Sequence, residues 1–228
     1  MSEQAQTYGK INFLVDVDNT LLNNDRVADD LKRYLTREVG AERQERYWAL
    51  FEQLRQELGY ADYLGALQRY RIEHPHEPHL LEVSSFLINY PFANRLYPGS
   101  IDLIEYLSVS GTTIILSDGD VVFQPLKIER SGLFEAVEGR VLIYIHKEQE
   151  LAEVERLFPA DRYVMIDDKI GILTTAKQFW GNRLTTVFVR QGHYAMLPEV
   201  QDYPKADITV ERISDLVGCK IGALCKDS

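Results

Sequence analysis

A rhythm of short apolar runs alternating with helical segments most constrains the fold of this chain. Runs rich in β-branched and aromatic residues are typical of buried parallel strands. They cover Ile11–Val17, Thr113–Ser117, Val141–Ile145, Tyr163–Ile166 and Thr185–Val189, with a weaker sixth at Ile208–Val210. Segments of helical character separate the later runs, at Ile101–Ser108, Gln149–Phe158 and Ile170–Trp180. The alternation predicts an α/β fold with a doubly wound parallel sheet.

The interval between the first and second runs breaks this rhythm. Apolar residues within it recur at helical spacing, for example Leu31, Leu35 and Val39. Such spacing places them on one face of a helix. We therefore predict an all-helical insert at residues 24–95, within a core made of residues 1–23 and 96–228.

Charge and composition limit the partners of the chain. Its 228 residues include 35 acidic and 25 basic side chains, which gives a net charge of -10. This balance argues against nucleic acid and anionic membranes as partners. A polar N-terminus without an apolar core and two cysteines, Cys219 and Cys225, at no zinc-site spacing predict a cytoplasmic protein with free thiols. The oligomeric state stays open.

Polar residues follow four of the predicted strands. They are Asp16 and Asp18 after the first run, Ser117-Asp118-Gly119 after the second, Lys147 after the third and Asp167-Asp168 after the fourth. Ligands of open α/β sheets bind at the carboxyl ends of the strands. Each acid alone is most simply a helix cap, but four such strand ends in succession predict one shared site.

This set of residues has a chemical logic. Carboxylate oxygens suit Mg²⁺, which binds one or two carboxylates together with a substrate phosphate. A carboxylate can also attack phosphorus, and a second one can move the proton. A lysine, a hydroxyl and turn amides stabilise the charge of a phosphoryl group in transfer. The residues thus favour phosphoryl chemistry. The chain contains no GxGxxG, P-loop, GxSxG or HExxH motif.

The four strand-end motifs, in this order, resemble those of the haloacid dehalogenase-like hydrolase superfamily. The resemblance covers the whole chain and implies a Rossmann-like core with a helical cap of the C1 type. It implies that Asp16 is the nucleophile and a Mg²⁺ ligand, and that Asp18 is the general acid/base and offers its backbone carbonyl to the metal. Because dehalogenases lack an acid at the position of Asp18, the sequence is similar to the phosphatase branch.

The resemblance also implies the roles of the other motifs. Ser117, with the Asp118-Gly119 turn, is expected to bind the phosphoryl group, and Lys147 to neutralise charge between Asp16 and the phosphate. Asp168 is expected to bind Mg²⁺ directly, and Asp167 directly or through water. Lys127 is a second candidate for the lysine, but a helix after the second strand is expected to carry it away from the site.

The expected function is therefore a Mg²⁺-dependent phosphatase that hydrolyses a small phosphorylated metabolite through an aspartyl-phosphate on Asp16. A phosphomutase with the same core is one alternative. A non-catalytic phosphate-responsive module is another. Receiver domains also place acids and a lysine around Mg²⁺, but their lysine follows all the acids, whereas Lys147 precedes Asp167 and Asp168.

Overall fold

A parallel β-sheet forms the centre of the computed structural model, which describes residues 9–219. Its strands are β1 (Ile11–Val15), β2 (Thr112–Asp118), β3 (Val141–Tyr144), β4 (Arg162–Asp167), β5 (Leu184–Val189) and β6 (Ile208–Val210). All neighbours are parallel and the order is β3-β2-β1-β4-β5-β6. The six predicted strands are confirmed, with bounds that differ by one or two residues.

Helices cover both faces of this sheet, as predicted. They are α1 (Asn24–Val39), α2 (Ala41–Leu58), α3 (Tyr63–Glu73), α4 (Leu80–Ile88), α5 (Ser100–Ser108), α6 (Phe123–Arg130), α7 (Leu133–Ala136), α8 (Leu151–Leu157) and α9 (Ile170–Trp180). Successive side chains of a strand point to opposite faces. Accordingly, Phe13 and Val15 of the central strand pack into one apolar cluster and Leu14 into another.

The first four helices lie between β1 and β2 and pack against the core through aromatic side chains. Tyr63 of α3 lies 5.2 Å from the ring of Phe123 on α6. Phe92, which follows α4, lies 5.4 Å from the same ring. Aromatic pairs at these distances add to the burial of apolar area. The helical insert, residues 24–95, therefore lies directly over the helix that follows β2.

The first strand is shorter than predicted, and the reason lies in a tight turn. The backbone N–H groups of Leu21 and Leu22 both donate to the carbonyl of Val17, at 2.9 Å. Asn19 adopts a φ of 62°, in the left-handed region. Its side chain accepts from the backbone N–H of Asn24, the first residue of α1, at 3.0 Å, while Asn23 is the N-cap of that helix. The chain thus leaves the sheet after Val15.

No helix within residues 9–219 has both the length and the apolar character that a membrane crossing requires. Cys219 ends the described part of the chain. Cys225 and the N-terminal residues Met1–Tyr8 lie outside the described residues, so the predictions made for them are not addressed by the structure.

Candidate active site

Three carboxylates meet where the central strands end. Asp16 follows β1 directly, Asp167 is the last residue of β4 and Asp168 comes next. The two strands are neighbours, and the N–H of Asp16 donates to the carbonyl of Ile166 at 3.0 Å. One side-chain oxygen from each acid lies within 4.8 Å of the others. The acids that the sequence predicted to share a site therefore lie close together in the fold.

These acids are buried without enough internal partners. Both side-chain oxygens of Asp168 are buried and have no hydrogen-bond partner in the described part of the chain. Burial, and then the charges of Asp167 and Asp16, raise the pKa of Asp168 well above its usual value. Burial also raises the pKa of Asp167 to about 6, against the opposing effect of Lys147. Buried charges need a cation or metal, so the donor set fits Mg²⁺.

Lys147 supplies the cation beside the nucleophile candidate. It begins a short 3₁₀ turn, Lys147–Gln149, after β3. Its Nζ lies 2.5 Å from Oδ1 of Asp16 and 2.7 Å from Oδ2 of Asp167. Burial lowers the pKa of Lys147, but the charges of Asp16, Asp167 and Asp118 outweigh this and raise it well above its usual value. Lys147 is therefore a cation at neutral pH, and it lies where the sequence placed it.

Ser117 lies near the end of β2, and Gln124 orients its hydroxyl. Nε2 of Gln124, on α6, donates to Oγ of Ser117 at 2.9 Å. Asp118, predicted to bind substrate, has another contact, because its Oδ1 accepts from the backbone N–H of Lys147 at 2.8 Å. Burial raises the pKa of Asp118. Its carboxyl group therefore holds the turn that carries Lys147.

Gly119 differs from the expected anion-binding turn. Its own N–H donates to the carbonyl of Tyr144 at 3.0 Å, since the pairing of β2 with β3 continues to this residue. A Cβ added to Gly119 would lie 2.6 Å from the Cβ of Gln124. The absence of a side chain thus serves the close approach of Gln124. The Gly119 amide is therefore engaged with β3, and the role of the Ser117-Asp118-Gly119 turn in phosphate binding stays a prediction.

Lys127 corrects a second expectation. The sequence predicted that the helix after β2 carries this residue away, yet its Nζ lies 2.6 Å from Oδ1 of Asp18. Helical side chains tilt toward the N-terminus of the helix, and α6 begins beside the strand ends. The long lysine side chain therefore reaches back into the site. Both lysines therefore lie in the site: Lys147 contacts Asp16, and Lys127 contacts Asp18.

Spacing within α6 was the signal for these missed residues. Gln124, Lys127 and Ser131 occur at i, i+3 and i+7, on the face that also buries Ile128. Polar side chains on the buried face of a helix need partners. Here the partners are Ser117 for the amide and Asp18 for the ammonium.

Two connected spaces adjoin these residues. A small cavity of about 60 Å³ is lined by Asp18 and Lys127 from the core and by Arg55 and Tyr63 from the insert. A larger cleft of about 1040 Å³ lies between the insert and the core. Tyr60 lines both spaces. A ligand in the small cavity, beside Asp18, therefore lies next to the larger cleft.

The cleft has a distinct chemical character. Exposed apolar side chains line it, among them Val121, Val122 and Ile145, together with the carboxylates of Asp62 and Asp120. Among the described residues that line the cleft there is no lysine or arginine. The cations Arg55, Lys127 and Lys169 line the small cavity instead.

Arg55 joins the insert to the core at this site. Its Nη1 donates to the hydroxyl of Tyr194 at 2.6 Å, and its Nη2 lies 2.8 Å from Oε2 of Glu52. Lys169 lies on the other side, with Nζ 4.8 Å from the ring of Tyr194. The insert is therefore closed over the strand ends in this structure.

Comparison with known proteins agrees with this architecture. The sequence model of the haloacid dehalogenase-like hydrolases matches residues 12–179. No curated protein matches the chain by sequence.

Solved structures of haloacid dehalogenase-like proteins are also similar to this chain. A protein of Burkholderia xenovorans LB400 described as a haloacid dehalogenase-like hydrolase is 61% identical, with a TM-score of 0.88 over 92% of this chain and 99% of that one. The L-2-haloacid dehalogenase of Xanthobacter autotrophicus, with chloropropionic acid covalently bound, is 18% identical, with a TM-score of 0.58 over 90% and 96% of the two chains. The magnesium-bound HAD-hydrolase YfnB of Bacillus subtilis is 16% identical, with a TM-score of 0.60 over 92% and 99%. The last two show a shared fold.

The matched region includes β1 to β4 and every strand-end residue described above, from Asp16 to Asp168. With the match to the family and the 61% identity, the chain belongs to the haloacid dehalogenase-like hydrolases.

Proposed function

We propose that this hydrolase is a Mg²⁺-dependent phosphatase that cleaves a small phosphate monoester through a phosphoaspartyl intermediate on Asp16. The observation that carries the proposal is the buried acidic cluster beside Asp16, in which both oxygens of Asp168 lack a hydrogen-bond partner among residues 9–219. Membership of this family does not by itself determine which reaction the protein catalyses. The second acid after β1, Asp18, lines the small cavity and favours phosphate chemistry.

The residues that would hold Mg²⁺ are Asp16, Asp167 and Asp168, together with the backbone carbonyl of Asp18. Bound there, Mg²⁺ would neutralise charge on the phosphoryl oxygens. The raised pKa of Asp168 means that the ionised cluster is costly without a cation, which supports this assignment.

The side chains of this protein would perform two displacements. In the first, a carboxylate oxygen of Asp16 attacks phosphorus, and the bond from phosphorus to the leaving oxygen breaks. Asp18 donates the proton that the leaving oxygen needs. In the second, water attacks the phosphorus of phospho-Asp16, Asp18 accepts the water proton, and inorganic phosphate leaves. Asp16 is thereby regenerated.

The remaining residues would bind and orient the phosphoryl group. Lys147, held 2.5 Å from Asp16, would offset the negative charge that builds on the nucleophile side. Ser117, with its hydroxyl accepting from Gln124, can direct its own proton to a phosphoryl oxygen. The helical insert would act as a cap that excludes water from these groups.

The residues that line the cleft indicate which class of leaving group the site accepts. It contains Asp62 and Asp120 and exposed apolar side chains, while the described residues lining it include no lysine or arginine. A second anionic group on the substrate would meet these carboxylates without a counter-charge. We therefore propose an uncharged or cationic alcohol with an apolar part as the leaving group.

A direct assay tests the proposal. The purified protein should hydrolyse p-nitrophenyl phosphate with Mg²⁺ and lose this activity in EDTA. Asp16→Asn should lower kcat by at least about 1,000-fold while keeping the fold. Intact-mass spectrometry of acid-quenched samples should show one added phosphoryl group on the wild type and none on Asp16→Asn. Absence of turnover on a broad panel of phosphate monoesters would overturn the proposal.

Two parallel assays separate the alternatives. Halide release from 2-chloropropionate tests a dehalogenase, the activity named for the Xanthobacter relative. Isomerisation of sugar phosphates without phosphate release tests a phosphomutase. Asp18 argues for the proton transfer that phosphoryl chemistry needs, so we expect phosphate release and no halide release.

A further inference from the structure

Lys127 is a buried cation whose hydrogen-bonding capacity is fully used. Its side chain is 1% exposed. Nζ donates to Oδ1 and Oδ2 of Asp18 at 2.6 and 2.8 Å, and to Oδ1 of Asn24 at 3.0 Å. An ammonium group has three N–H donors, so these three oxygens satisfy all of them.

Packing alone does not call for a lysine at this position. Taking an ammonium group out of water is costly, and a buried ion pair adds little net stability over apolar residues of similar size. The surroundings include the ring of Phe123, 5.5 Å from Nζ, which an apolar side chain would contact equally well. The lysine is therefore best explained by what it does to Asp18.

Asp18 needs an external restraint. It lies in the turn after β1, outside the sheet ladder, and its side chain is 26% exposed toward the small cavity. A contact to both of its oxygens from one ammonium fixes the plane of the carboxylate. Each oxygen has two lone pairs, so one on each stays free to carry a proton.

We propose that Lys127 is a positioning residue that holds the Asp18 carboxylate in the orientation from which it transfers a proton to the leaving oxygen. This inference rests on the phosphatase function proposed above. The bond to Asn24, the first residue of α1, extends the same restraint to the start of the helical insert. Tyr63 of α3 lines the same small cavity as Asp18, Asn24 and Lys127, so the insert also surrounds this network.

The test uses the full chain with Mg²⁺ and two aryl phosphates. Phenolate leaves poorly without a proton, whereas p-nitrophenolate leaves readily without one. If Lys127 orients the proton donor, Lys127→Met should lower kcat/KM for phenyl phosphate by about 100-fold and for p-nitrophenyl phosphate by tenfold or less. Affinity for inorganic phosphate as a competitive inhibitor should change less than about threefold.

Matched variants separate positioning from folding. Glu129→Gln changes an exposed residue on the same helix and should keep both kcat/KM values within about twofold of the wild type. Lys127→Arg keeps the charge but cannot place three N–H groups on the same three oxygens, so it should show a smaller selective loss. It also serves as the test variant if Lys127→Met fails to fold.

The outcomes are distinct. A wild type without phosphatase activity overturns the proposed function and this inference with it. An active wild type whose Lys127 variants lose nothing, or lose both substrates equally, overturns the role of Lys127 alone. A loss confined to the poorer leaving group supports it.

Discussion

The ammonium group of Lys147 lies 2.5 Å from a carboxylate oxygen of Asp16, although 131 positions separate the two residues in the chain. The same ammonium lies 2.7 Å from Asp167. All three side chains are buried. One cation from the end of β3 thus balances two carboxylates at the ends of the neighbouring strands β1 and β4, and this arrangement leads to the first prediction.

Removing this cation should destabilise the protein as well as inactivate it. Lys147→Met leaves Asp16 and Asp167 buried without a counter-charge, which should lower the free energy of unfolding in EDTA by about 3–5 kcal/mol. Urea titration measures it. Lys177→Met is the control, because the Lys177–Asp207 pair is partly exposed and should contribute less than about 1 kcal/mol. Equal losses for both variants would contradict the prediction.

Asp168→Asn should stabilise the metal-free protein at neutral pH. The raised pKa of Asp168 means that the folded chain binds its proton more tightly than the unfolded chain, whose value is about 4. Without metal, stability is therefore full below about pH 4 and falls as the pH rises through the folded-state pKa. The amide stays neutral and can donate to the neighbouring carboxylates, so removing the unpaired buried carboxylate should gain about 1–3 kcal/mol at pH 7.5.

Thermal unfolding with and without Mg²⁺ checks this prediction. For the wild type, the Mg²⁺-induced rise in Tm should be larger at pH 7.5 than at pH 5.0, because protons compete for the ligands at low pH. Asp168→Asn should lose most of this rise, whereas Asp202→Asn, at an exposed position, should retain it. A wild-type response to Mg²⁺ in Asp168→Asn would be the contradicting result.

Asn19 should stabilise the protein more than a glycine at the same position would, although its φ lies in the left-handed region. Its side chain accepts from the N–H groups of Asn24 and Asp25 at 3.0 and 3.2 Å and donates to Asp25 at 3.0 Å. Asn19→Gly removes these bonds without backbone strain and should cost about 1 kcal/mol. Asn19→Ala adds the cost of a positive φ and should lose about 2–3 kcal/mol. Urea titrations that reverse this order would refute the explanation.

Charge in the cleft should control the choice of leaving group. Gln68 is exposed and lines the cleft, so Gln68→Lys adds a cation opposite the existing carboxylates. The kcat/KM ratio of an anionic to a neutral leaving group should rise about two- to fivefold at low salt and less at high salt. Gln68→Met, which is uncharged, should leave the ratio unchanged. No change in Gln68→Lys would argue that the leaving group lies elsewhere.

Much of this architecture follows from local sequence features. Runs of β-branched residues predict strands because such side chains suit a buried pleated surface, and all six runs are strands in the fold. The preference for Lys147 as the lysine beside Asp16 also agrees with the structure. Strand ends in a parallel sheet lie at one edge, so the sequence alone places Asp16, Lys147 and Asp168 at the same edge of the sheet.

The misplaced expectations share a cause. Lys127 was expected to point away, yet it binds Asp18, and within the turn expected to bind phosphate the Gly119 amide pairs with Tyr144. Both outcomes depend on how far strand pairing continues and on the direction in which a short helix leaves the sheet. Neither property is encoded in the residues at these positions.

The sequence by itself determined the alternation of strands and helices and the acids that follow β1 and β4, because periodicity and turn chemistry are local. Tertiary structure decided the pairings: Lys147 with Asp16 and Asp167, and Lys127 with Asp18. The physical reason is that a buried charge is tolerated only where packing brings an opposite charge within a few ångströms. That distance depends on how separate elements pack against one another.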